Sequence, residues 1–270
     1  MPNPNTLLFD VADLEQATWQ LCTKPQSLSF GRQLYQLQYA DQCYWLKLQF
    51  KNVHQVTEQN YLNELNFYFH WHNQLSCLLP MQQLDLSDQP QFQHTYTSVL
   101  MPHAEPWLSC AEDLSILNIQ AKILAMLDSI DELAQLGLIH ADLKQEHFVN
   151  WQGQLKLLDF EQVQSFDTVK KNLSATPRYM APELFHGEAK NLQTDLYALG
   201  IILYEWLTGQ RLYAARYIDW AYLHCQYLDI QLPKSYQCFG SVIHGLTAKH
   251  KQARFSDIQT VKQAVQQLIC

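Results

Sequence analysis

Residues 138–150 read LIHADLKQEHFVN. A short apolar strand delivers Asp142 into a loop, with Lys144 two residues on and His147 five residues on. A carboxylate in such a loop can orient an attacking hydroxyl and accept its proton, while a nearby cation offsets the negative charge of a group in transfer. That is the equipment phosphoryl transfer requires. Seventeen residues after Asp142 a second apolar strand, LKLLDFE (155–161), ends on Asp159. Gly153, within NWQGQLKLLDF, marks the turn of a hairpin. The two carboxylates are expected to meet in one pocket between two lobes.

Three further stretches follow in order: ATPRYMAPE (175–183), DLYALGIILYEWLTG (195–209) and KQARFSDI (251–258). With the two strand ends they make five spaced elements, and together they resemble the protein kinase superfamily, whose catalytic loop reads HRDLKxxN. The resemblance covers about residues 134 to 262. It implies an α+β, bilobal protein-kinase-like fold, with a small β-rich N-lobe carrying one helix (1–101) and a larger helical C-lobe (102–270) forming one domain. It also implies ATP and Mg²⁺ as cofactors, and a protein or peptide carrying a Ser or Thr hydroxyl as substrate.

Residue by residue, the resemblance makes Asp142 the catalytic carboxylate and Lys144 its cationic partner. Asp159 becomes the metal-holding aspartate, Thr176 the residue that contacts the catalytic pair, and Asp195 and Gly200 parts of a buried helix anchoring the loop. Arg254 is implied to pair with Glu183. In the first lobe Lys47 lies on an apolar strand, YWLKLQF, and Glu64 lies on a helix seventeen residues later, the pattern of the lysine that grips phosphates and its ion-pair partner. The run VLMPHAE resembles the family's strand-to-hinge passage, which implies Met101 at the gatekeeper position and Pro102 to Ala104 against adenine, with the Ala104 N–H as donor because Pro102 has none.

The sequence also departs from that pattern. Gly31 stands alone in SFGRQLYQLQ, where a glycine-rich loop would close over phosphates. His147 occupies the position of a metal-binding asparagine, and an imidazole suits Mg²⁺ less well than Mn²⁺. It is either a metal ligand or structural filler. Glu161 replaces a glycine and adds a carboxylate beside the metal site. Ala141 replaces an arginine, so phosphorylation of the following loop is not expected to act as the on-switch. The combination of His147 and Glu161 is also similar to bacterial lipopolysaccharide core-sugar kinases. Two rival readings follow: a sugar acceptor in place of a peptide, and a pseudokinase scaffold that turns nothing over.

Composition narrows the field. The 270 residues are 47% hydrophobic, and 26 acidic against 18 basic side chains give a net charge of −8, which disfavours nucleic acid as a partner. The seven cysteines are scattered without a CxxC pair, and are expected to be reduced and mostly buried in a cytoplasmic protein. Neither the opening MPNPNTLLFDVADLE nor the longest apolar run, YALGIILYEWL, predicts a secretion signal or membrane span.

Strands are expected in 29–40, 42–50 and 91–101, and helices over 56–75, 112–137 with Gly137 as its stop, and around 193–208, 216–226, 238–248 and 256–268. His70 and His72 read as packing or surface residues, His140 as structural, and Trp45, Trp71, Trp107 and Trp206 as core. Ser165, Thr168 and Ser174 are generic modifiable positions on an exposed segment.

Overall fold

Alternation along Gln42–Gln49 organises the first sheet. Tyr44, Leu46 and Leu48 are buried on one face, in a cluster with Phe9, Leu37, Leu84, Phe92 and Leu100, so Trp45, Lys47 and Gln49 project from the other. The computed structural model describes residues 7, 9, 11–166, 168 and 175–268. Two compact units make up the chain. The first holds the described residues up to Glu105 with Trp151–Gln154 and Leu158–Glu161, and the second holds Pro106–Asn150, Leu155–Leu157 and the described residues from Gln162 onward.

In the first unit β1 (Thr18–Leu21), β2 (Arg32–Tyr39), β3 (Gln42–Gln49), β4 (Gln82–Leu84) and β5 (Ser98–Pro102) form an antiparallel sheet in the order β1-β2-β3-β5-β4. Ala40 and Asp41 join β2 to β3, both with positive φ (46° and 63°), as a two-residue hairpin turn requires. This turn fixes a register in which Leu34 faces Lys47 and Arg32 faces Gln49. Arg32 therefore shares the face of Lys47, away from the aliphatic cluster.

Helix α2 (Gln55–Trp71) is capped by His54, whose side chain accepts the Thr57 N–H. Its buried residues Tyr61, Glu64 and Tyr68 recur at spacings of three and four, so they line one face. The Tyr61 hydroxyl ties that face to the sheet, lying 3.0 Å from the Lys47 carbonyl and 2.8 Å from that of Thr97. A short helix not foreseen in the sequence, α1 (Pro25–Ser29), fills the β1–β2 connection. Strands β1 and β4 were also not foreseen, being three or four residues long with no clear alternation. Residues 91–97, read as strand, include the 3₁₀ turn Pro90–Phe92, and only the stretch from Ser98 pairs as β5.

The second unit is largely helical. Helix α3 (Ile116–Gln135) starts at the Ser115 cap and buries Ile119, Ile123, Met126, Leu127, Ile130 and Leu133. Short strands β7 (Leu138–Ile139) and β10 (Gln164–Ser165) pair with each other, while β8 (Phe148–Trp151) and β9 (Gln154–Leu157) lie side by side. Helix α5 (Leu192–Thr208) opens with a capping box made by Asn191 and Thr194 and is buried from Thr194 to Leu207. Gly200 sits where a Cβ would come within 2.8 Å of the Leu246 Cβ, so α5 and α7 (Gly240–Leu246) touch there because the side chain is missing. Helices α6 (Tyr217–Tyr222), which continues as the π-helical turn Leu223–Tyr227, and α8 (Ile258–Gln266) complete the expected set. Glu183 and Arg254, both buried, form a bidentate pair at 2.8 and 3.0 Å. No helix among the described residues is long and apolar enough to cross a membrane.

The cysteine expectation is corrected. Cys238 is disulfide-bonded. Of the free thiols among the described residues only Cys77 is buried, while Cys22 and Cys110 are exposed because they lie in surface connections rather than on core faces. Cys270 and Ser174 fall outside the described residues. Among the tryptophans Trp206 is buried, whereas Trp45, Trp71 and Trp107 are half-buried, and His70 and His72 lie on the surface.

His224 is fully enclosed, its Nδ1 2.8 Å from the Tyr197 hydroxyl and its ring stacked between Phe185 and Trp220. Burial pushes its pKa down to about 4, because a charged imidazolium there would lose its hydration. The unfolded chain takes up the proton near pH 6.5, so the stability this residue contributes is complete above that value and is lost as pH falls toward 4. Urea titrations are expected to give an unfolding free energy that drops over this window by on the order of 3 kcal/mol more for the wild type than for His224→Phe. Parallel pH profiles for the two proteins would contradict the assignment.

Candidate active site

Within the first unit, β3 and α2 bring Lys47 and Glu64 together, the Lys47 Nζ lying 2.5 Å from the Glu64 Oε2. The other Glu64 oxygen accepts the Phe160 N–H at 3.2 Å. Phe160 is buried, stacked on Phe67 with ring centres 4.3 Å apart, and meets Tyr68 edge-on. Asp159 just before it has φ +65°, a left-handed conformation that aspartate tolerates better than most residues. This Phe160 anchor holds the two neighbouring carboxylates against the lysine: the Asp159 Oδ1 is 3.8 Å and the Glu161 Oε1 2.6 Å from Nζ. Asn63 adds a hydrogen bond to the Glu161 carbonyl at 3.0 Å.

Carboxylate oxygens of Glu64, Asp159 and Glu161 lie within 4.8 Å of one another. Opposite them stand Lys47 and Arg32, whose Nη1 pairs with the Glu161 Oε1. Three carboxylates against two cations leave the cluster one negative charge in excess. Burial alone would lower the Lys47 pKa, but Glu161, Glu64 and Asp159 more than reverse this, so the ammonium is held charged. Burial, reinforced by the neighbouring carboxylates, raises Glu64 despite the opposing pull of Lys47.

The adenine-side candidates lie at the end of β5. Met101 is half-buried, opposite Trp45 in the register, with the Tyr68 hydroxyl 3.9 Å from its sulfur. Ala104 is half-buried just past the strand. Gly31 closes α1: its N–H donates to the Leu28 carbonyl, its own carbonyl accepts from Phe50, and φ is +80°. A Cβ there would meet Gln49 and Val53 at 3.0 Å. Gly31 is thus a close-packed helix terminator.

Within the second unit, the loop after β7 presents Asp142. Its Oδ1 accepts hydrogen bonds from the Thr176 N–H (3.1 Å) and hydroxyl (3.0 Å), and its Oδ2 lies 2.8 Å from the Lys144 Nζ. The residue before it, Ala141, carries φ +67°, a conformation that costs an L-residue about 1 kcal/mol or more. Contacts on both sides hold it there. Asp195 on α5 accepts the His140 N–H (2.8 Å) and the Ala141 N–H (2.9 Å), and Lys190 donates to the Ala141 carbonyl at 2.6 Å. Burial pushes the Asp195 carboxyl up to about 7, while the two N–H donors pull the other way. His147 is buried, its ring 5.4 Å from that of His140. Ser165 is exposed, its hydroxyl 2.8 Å from that of Thr168.

Arg32 and Lys190 were missed in the sequence. Arg32 was legible in principle, because a two-residue turn at Ala40–Asp41 dictates which strand positions share the face of Lys47. Lys190 lies 49 residues from the carbonyl it contacts, and no local pattern signals such a bond.

A family model described as the protein kinase domain matches residues 84–269, more than half of the chain. The chain belongs to the protein kinase domain family, in keeping with its α+β fold. It is 32% identical over 104 residues to the probable serine/threonine-protein kinase PknB of Bifidobacterium longum, an alignment covering 36% of this chain and 15% of that protein. Similarity to cGMP-dependent protein kinase 2 of Homo sapiens reaches 36% over 85 residues, or 30% of this chain and 11% of that one. With the serine/threonine-protein kinase RUNKEL of Arabidopsis thaliana it is 37% over 94 residues, 33% and 7% respectively. The chain therefore spans less than a fifth of the length of each of these relatives.

Asp195→Asn retains the shape of the side chain but leaves one amide group, with a single acceptor oxygen, facing two buried N–H donors. It is expected to cost about 1–3 kcal/mol of stability in urea titration. A loss below a few tenths of a kcal/mol would show that the two backbone bonds do not restrain the loop.

Proposed function

We propose that the chain is an ATP-dependent phosphotransferase of the serine/threonine protein kinase type. The observation that carries this reading is the setting of Asp142. One of its oxygens is held by Thr176 and the other by Lys144, so the carboxylate is oriented from both sides while its loop is anchored by Asp195. Held this way, it is suited to align an acceptor hydroxyl and take its proton, with Lys144 offsetting negative charge on the group in transfer. A threonine on the catalytic carboxylate and the printed names of the relatives support Ser/Thr hydroxyls of a protein or peptide as acceptors.

Lys47, oriented by Glu64, is assigned to the nucleotide phosphates, and Met101 and Ala104 to the adenine side. The donor set around Asp159 consists of carboxylate oxygens in a cluster with excess negative charge, which fits a hard divalent ion such as Mg²⁺ or Mn²⁺. Asp159 would hold that ion. ATP with its metal supplies the phosphoryl group and neutralises charge on it.

The second reading, a nucleotide-binding module without turnover, draws on the contact of Glu161 with Lys47. Phosphoryl transfer from ATP, with Mg²⁺ or Mn²⁺, to a Ser/Thr peptide library and to a panel of sugars separates these alternatives. The wild type is expected to modify peptides, and Asp142→Asn to lower the rate by about 10²-fold or more. Equal rates in wild type and Asp142→Asn would exclude the catalytic reading, and transfer confined to sugars would exclude the peptide acceptor.

A further inference from the structure

One Glu161 oxygen, Oε1, contacts two cations together, the Lys47 ammonium at 2.6 Å and the Arg32 guanidinium. Neither cation needs Glu161 to find its place. Lys47 is held on β3 by Glu64. Arg32 is held on β2 by the Gln49 side chain, to which its Nε donates at 3.0 Å, and it packs over the Tyr61 ring. An ammonium and a guanidinium aimed at one point from two adjacent strands make a seat for an anionic oxygen, and a guanidinium is especially suited to phosphate. Glu161 fills that seat. The connection preceding β2 meanwhile offers a single, close-packed glycine in place of a backbone cradle.

We propose that Arg32 and Lys47 form the polyphosphate seat of this domain and that the Glu161 carboxylate is its resident occupant, displaced when nucleotide binds. Arg32 thereby supplies from a side chain the phosphate contact that a glycine-rich loop would supply from backbone N–H groups. The inference rests on the nucleotide-site reading above. It further assigns Glu161 a definite cost: each binding event must separate a carboxylate from two partly buried cations, so affinity for nucleotide is held down.

The test is isothermal titration with ADP in EDTA, where no metal can bridge Glu161 to phosphate, on folded proteins checked by thermal melting. Glu161→Gln keeps the shape, removes the charge and is expected to bind ADP about tenfold more tightly than wild type. Arg32→Gln is expected to weaken binding, and by a larger factor in the Glu161→Gln background, where the guanidinium is available to phosphate from the start. Unchanged or weaker ADP binding by Glu161→Gln, while Lys47→Met still abolishes binding, would overturn the proposal and leave the nucleotide site standing. Equal effects of Arg32→Gln in both backgrounds would also overturn it. Binding that is indifferent to Lys47→Met would remove the nucleotide-site reading itself, and this inference with it.

Discussion

The grip of one buried carboxylate on two consecutive backbone amides underlies the second unit. Asp195 sits on α5, whose side chains are buried along almost its whole length, and it reaches the N–H groups of His140 and Ala141. Those bonds, with Lys190 on the following carbonyl, hold Ala141 in a backbone conformation an alanine would otherwise avoid. The turn so imposed presents Asp142 to Thr176 and Lys144. The hydrophobic helix therefore serves chemistry through a single polar residue near its N-terminal end, and the surrounding aliphatic packing keeps that residue from moving.

A different solution governs the first unit. There the sheet and α2 assemble charges rather than strain the backbone. Lys47, Arg32, Glu64, Asp159 and Glu161 compensate one another in a half-buried cluster, where isolated ions would be costly. The Phe160 ring, stacked on Phe67, fixes Asp159 and Glu161 on either side of itself. Packing of one apolar residue thus determines where two acidic ones lie. The excess of negative charge gives the cluster a physical preference for an added cation, and the paired Arg32 and Lys47 give it one for an added anion.

Much of this was legible in the sequence, because the informative residues come in short runs with fixed spacing. LIHADL and LKLLDFE announce strand ends by an apolar run stopping at an aspartate, and the spacing from Lys47 to Glu64 carries strand and helix in one interval. Long helices such as α3 and α5 show their periodicity plainly. What escaped were features without local signature. Helix α1 is a single turn begun by Pro25, and β1 and β4 are held by neighbours rather than by their own pattern. Lys190 belongs to the loop only through the fold. The sequence also led to Gly31 as a loop glycine, and its close packing against Gln49 and Val53 depends on a helix that nothing nearby announced.

The two-residue link at Ala40–Asp41 carries a constraint on how this chain can diverge. Because neighbouring strand positions alternate sides, lengthening that link by one residue and sliding β2 by one step would rotate the guanidinium onto the oily side, against Leu46 and Leu48. Gly31 or Gln33, according to the direction of the slide, would take its place opposite Gln49. Insertions are thus tolerable here only in numbers that restore the parity of the pairing, and a turn at the far end of the β2–β3 hairpin governs the electrostatics around Lys47.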